Sequence, residues 1–159
     1  MGRDWETQYQ NWATPTAAVE LLRWFQLSIE YAPGPGVIVD PPPQEDFGET
    51  DKSWDLLYVD MCRSTPGAKR IRGLLPKNIT VAHKTGTGGT QNGITSATND
   101  IAIIDTGKGG YTDTERGGHI AIAVFVSDSS ADEKTREAVI AKIAKAVWDK
   151  FGKGSRPAR

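Results

Sequence analysis

Apolar positions along the chain fall into two rhythms. Ala18, Leu21, Leu22 and Phe25 recur at helical spacing behind Thr14-Pro15, a capping hydroxyl followed by a proline suited to a first helical position. They predict a helix from about Pro15 to Leu27. Trp54, Leu57, Tyr58 and Met61 repeat the stripe and predict a second helix from about Ser53 to Cys62. Ser64-Thr65-Pro66-Gly67 is a turn. After it the period shortens. Ile79 to Thr85, Asn99 to Thr106 and His119 to Ser127 read as strands, the last apolar on both faces and therefore central. Gly107 to Gly118 reads as a polar hairpin loop. Ser130-Ala131-Asp132-Glu133 has the form of a capping box. It opens a last helix whose apolar face is Ile140, Ile143, Ala144, Val147 and Phe151. Strands joined by hairpins are antiparallel. The order therefore predicts an α/β chain of the α+β kind, a three-stranded antiparallel sheet packed with helices.

Composition narrows the picture. A length of 159 residues suits a single domain, 1–159, and residues 32–51 interrupt it with prolines, glycines and acids that read as a loop or insertion. Nineteen basic and twenty acidic residues leave a formal charge of −1, so no basic surface argues for nucleic acid. No apolar run approaches a membrane span. MGRDWETQYQ carries no apolar core of a signal peptide, which reads as cytoplasmic for the chain as given. The lone Cys62 excludes an intrachain disulfide and reads as a buried or partly buried thiol. His83 and His119 sit on different strands without a carboxylate or cysteine at ligand spacing, so no metal is expected. Asp113, Glu115 and Arg116 read as solvated, and Trp5, Trp12, Trp24, Trp54 and Trp148 as core or interface aromatics.

The most distinctive stretch is HKTGTGGT, residues 83–90. It is not a phosphate cradle: its lysine precedes its glycine, and Gln91 stands where a dinucleotide fingerprint needs its third glycine. On a strand, Lys84 points opposite to His83 and Thr85. Gly86, Gly88 and Gly89 leave the backbone open to close approach. Such an edge can offer an N–H to a carbonyl oxygen and an ammonium to a carboxylate. A glycine-rich strand end with a solvated lysine is the plainer alternative.

HKTGTGGT, then ITSATNDIAII, then HIAIAVFVSDSSADEKTREAVIAKIAKAVWD resembles the C-terminal half of class A serine β-lactamases, closest to the subgroup whose lysine motif reads H-K-T-G-T. RSTPGAKRIRGLLP resembles the family's segment before its lysine strand. QYQNWATP resembles the stretch after its omega loop. H-K-T-G-T and VFVSDSSAD favour this family over the related penicillin-binding proteins. The resemblance implies an incomplete β-lactamase/transpeptidase-like fold and a β-lactam as the small-molecule partner. It implies that Lys84 and Thr85 bind the substrate carboxylate, Gly86 permits close passage, and the Thr87 N–H forms half of an oxyanion hole. Asn99, Asp100 and Trp12 correspond to framework positions. The family uses no cofactor and is typically periplasmic or secreted.

The family's chemistry also needs a serine in S-x-x-K, an S-D-N element and an omega-loop glutamate. None of the serines at 28, 53, 64, 96, 127, 129, 130 and 155 has lysine three positions on, and S-D-N is absent. No catalytic residue is therefore assigned. The expectation is a truncated member that holds a substrate-binding wall and does not turn over alone. Two other readings stay open: one half of a complementing enzyme, or a non-catalytic module that associates through an open strand edge.

Overall fold

The structure, a computed structural model, describes residues 9, 12–30, 51–106 and 118–152. The proline-rich segment 32–50, the loop 107–117, Trp5 and the expected solvated trio Asp113, Glu115 and Arg116 lie outside those residues. Helix α1 runs Pro15–Glu30 and α2 runs Asp51–Arg63. A 3₁₀ turn, η1, covers Ile71–Leu74. Strands β1 (Val81–Thr87), β2 (Thr90–Gln91), β3 (Ile94–Asp105) and β4 (His119–Ser129) follow, then α3 (Glu133–Val147) and a π-helical turn, Trp148–Gly152. Among the described residues no helix is long and apolar enough to cross a membrane.

The caps explain the helix starts. Thr14 Oγ1 accepts from Ala17 N at 3.1 Å, as its place before Pro15 predicts. At α3 the outcome differs from the expected box on Ser130. Asp132 is the cap, its carboxylate accepting from Thr135 N at 2.7 Å. That bond holds the Asp132 carboxyl below its usual range, because the charged form is the acceptor.

The sheet has four strands where three were expected. The fourth, β2, continues the β1 arm in the same register against β3, with Val81 opposite Ile104 and Thr90 opposite Thr95. The arm turns at Asn92-Gly93, whose φ values of 51 and 75 are both positive. That is the signature of a tight two-residue hairpin. It starts β3 at Ile94, five residues earlier than the pattern suggested. β4 pairs along β3 from Thr95–Ser129 to Asp105–His119. Among the described residues β4 pairs with β3 alone and stands at the margin of the sheet.

Alternation along β1, β3 and β4 divides the core between two faces. Val81, Ala102, Ile104, Ile122 and Val124 pack against Ile71, Leu75, Ile140, Ala144 and Trp148, the side of η1 and α3. Ala82 and Ile103 pack against Leu22, Phe25 and Met61, the side of α1 and α2. The stripes deviate from expectation at their margins. Leu21, Leu57, Ile143 and Phe151 are exposed. The buried face of α3 carries Arg136, Ile140, Ala141 and Ala144, with Val147 packed against the same core, so Ile140, Ala144 and Val147 keep the expected stripe. Trp148 is buried as expected, Trp54 is half-buried, and Trp12 and Trp24 are exposed.

Candidate substrate-binding strand

β1 is where sequence and structure place the candidate chemistry. Asp105 N donates to Thr80 O at 3.0 Å and Gly88 N to Ala97 O at 2.9 Å. In an antiparallel ladder these two bonds fix the parity. Even-numbered residues from Thr80 to Gly88 exchange backbone bonds with β3. Thr85 and Thr87 therefore turn their N–H and C=O to the outer edge.

Side chains alternate independently. His83, Thr85 and Thr87 face the η1 and α3 side, while Lys84 and Gly86 face the α1 and α2 side. One ligand group can meet both Lys84 and Thr85 only from beyond the strand edge. Lys84 can reach that place. It is exposed, and its Nζ donates to the outward carbonyl of Thr85. Gly86 has no side chain on the Lys84 face, and a Cβ there would meet only Asn99 Cβ at 3.7 Å.

The other face of the strand is braced by charge. Arg70 is 4% exposed. Its Nη1 donates to Gly86 O at 3.2 Å and Asn99 O at 2.9 Å, its Nη2 to Thr87 Oγ1 at 2.8 Å, and its Nε to Glu137 Oε1 on α3 at 3.3 Å. A planar guanidinium suits this, since its donors fan out in one plane. The Thr87 hydroxyl is thus committed to Arg70. What Thr87 offers to the edge is its backbone. Arg136 does similar work one residue pair further along β3, donating from Nε to Thr98 Oγ1 at 2.8 Å and from Nη1 to Ala131 O.

Of the three residues expected as framework, Asn99 and Asp100 make contacts that tie elements together, while Trp12 is exposed. Asn99 Oδ1 accepts from Val126 N at 3.2 Å, tying β3 to β4. Asp100 is fully buried, accepts from Ile71 N at 3.1 Å and pairs with His83 Nδ1 at 3.1 Å. His119 instead lies 3.5 Å from Gln26 Nε2 on α1. The two histidines are engaged in separate places. Cys62 is half-buried, and burial pushes its thiol up, so it is a poor nucleophile at neutral pH.

The family model described as the beta-lactamase enzyme family matches residues 50–151. The chain belongs to that family. It is 38% identical over 151 residues to Beta-lactamase VEB-1 of Pseudomonas aeruginosa, 95% of this chain and 42% of that protein. Among solved structures it is similar to the TLA-3 extended-spectrum beta-lactamase, with a TM-score of 0.72 and 41% identity over 94% of this chain and 46% of the other. A representative class A beta-lactamase from Bacteroides cellulosilyticus matches with a TM-score of 0.66 and 26% identity over 91% of this chain and 43% of the other. The chain spans 42% of the length of the first of these relatives. Over that span its fold is a class A beta-lactamase fold, mixed α/β with an antiparallel sheet.

Sequence reasoning located the strand and missed its bracing. Arg70, Glu137 and Arg136 carried no assignment, and Gly67 was read only as part of a turn. The one available signal was Arg136, a charge in register with the buried Ile140 and Ala144.

Proposed function

We propose that this chain supplies the carboxylate-binding wall of a class A β-lactamase site. Lys84 and the Thr85 hydroxyl bind the carboxylate of a β-lactam. Gly86 lets the ring pass close, and the Thr87 N–H points at the carbonyl oxygen. The observation that supports this most is the outer edge of β1, where the Lys84 ammonium reaches the outward carbonyl of Thr85. With no S-x-x-K or S-D-N among its residues, the chain alone binds and does not turn over. Hydrolysis needs a serine, a lysine and a glutamate from other residues.

A chromogenic cephalosporin tests both halves. Titrated into the labelled chain, it should shift the amides of Lys84 to Thr87, and Lys84→Ala should abolish the shifts without changing the melting temperature. No hydrolysis above the Lys84→Ala control is expected. Turnover lost in Lys84→Ala would expose an overlooked nucleophile. Unmoved amides would remove the binding reading.

The second reading rests on a different observation. Among the described residues β4 has one strand neighbour, and an open apolar edge can recruit another strand. On that reading the chain associates through β4. Ala123→Lys abolishes association in analytical ultracentrifugation, and Lys84→Ala leaves it intact.

A further inference from the structure

We infer that His83 and Gly67 together form a latch that fixes the rotamer of Thr85, and that both are positioning residues for the carboxylate site. This rests on the reading of Thr85 given above.

The contacts close a ring. Thr85 stands opposite Asp100 across β1 and β3. Asp100 holds His83, with Nδ1 at 3.1 Å from Oδ1 and 3.3 Å from Oδ2. His83 Nε2 lies 3.3 Å from the carbonyl of Ser64, the first residue of the turn after α2. Three residues later Gly67 comes back onto Thr85. A Cβ built on Gly67 would stand 2.3 Å from Thr85 Cγ2. No real Cβ sits that close. The φ of Gly67 is +71, a conformation that favours glycine on its own account.

The donors decide the tightness of the ring. A backbone carbonyl only accepts, so His83 Nε2 carries a hydrogen. A single proton then lies between Nδ1 and the carboxylate, whichever atom holds it. His83 and Asp100 are each 0% exposed, so no water reaches the pair while the turn is in place. The turn therefore cannot lift from β1 without leaving buried polar groups unpaired. While it stays, the Gly67 backbone occupies the space next to the Thr85 methyl. A threonine held on its methyl side has a fixed hydroxyl direction, because χ1 sets both at once. Neither residue needs to touch a ligand to govern how Thr85 presents itself.

Three-bond couplings from the Thr85 methyl to its backbone nitrogen and carbonyl read the rotamer in the labelled chain. The wild type is expected to show one rotamer. His83→Phe and Gly67→Ala are each expected to give averaged or switched couplings, with the Ile103 and Ile140 methyl resonances unmoved as a check on both core faces. A single unchanged rotamer in both variants, with those cores intact, overturns the latch. Should His83→Phe fail to fold, Gly67→Ala decides alone, since Gly67 is only part-buried. The cephalosporin titration separates the two ideas. A fixed wild-type rotamer without ligand-induced shifts refutes the carboxylate site and leaves the latch standing.

Discussion

One face of the sheet is built in two ways along its length. Beneath Val81, Ala102 and Ile104 it meets Ile140, Ala144 and Trp148, an apolar core with Ile140 fully buried. A few residues along the same strands, where the face itself carries His83, Asp100, Thr85, Thr87 and Thr98, it meets Arg70 and Arg136. The apolar end gains its stability from area removed from water, which has no direction. The polar end gains little net stability from each bond and loses much when one partner is deleted. Directional bonds fix backbone positions in a way that apolar contact does not. The polar end lies under the candidate site, where position matters most.

That contrast can be broken by substitution. The largest effect is expected at Asp100→Ala, which strands His83 and the Ile71 N–H in the interior. Urea unfolding should show a loss of about 3–5 kcal/mol. Replacing both partners, as His83→Leu with Asp100→Leu, should cost less than Asp100→Ala alone, because the imidazole is then no longer left in the interior without its carboxylate and only the Ile71 N–H and the Ser64 carbonyl lose a partner. A double variant as weak as the single one would mean that the pair acts through its shape. Arg70→Lys comes next. Lysine keeps the charge but loses the planar fork across Gly86, Thr87, Asn99 and Glu137, at about 1–3 kcal/mol. Ile140→Val, at the apolar end, should cost about 0.5–1.5 kcal/mol by the same measurement. If Ile140→Val costs more than Arg70→Lys, the two ends do not differ as argued.

The smallest effect belongs to the Asp132 cap, outside both ends. Its carboxyl is held below the usual range by the bond from Thr135. Its contribution is therefore present above the ordinary carboxylate range and lost as pH falls through the depressed value. The melting temperatures of wild type and Asp132→Ala should differ slightly at neutral pH and converge in acid.

Local signals in the sequence were enough for the elements. Thr14-Pro15 marks the start of α1, and the apolar alternation marks β1, β3 and β4. Asn92-Gly93 was as legible as these, and reading it as a hairpin turn would have placed the start of β3 correctly. The bracing was not legible. Arg70 draws partners from β1, β3 and α3, separated from it by 16 to 67 positions. Nothing in AKRIR distinguishes the buried Arg70 from the more exposed Lys69 and Arg72 beside it. Likewise, Gly67 reads as a turn glycine in any context, and only the folded chain brings it against Thr85.

The parity of β1 has a consequence for mutational tolerance. Thr87 directs its side chain to Arg70 and its peptide N–H to the open edge. The group offered outward is one that nineteen of the twenty encoded amino acids also carry. A replacement at position 87 takes a hydroxyl partner from Arg70 yet leaves that outward donor in place. Thr87→Pro is the only encoded replacement that deletes the donor itself.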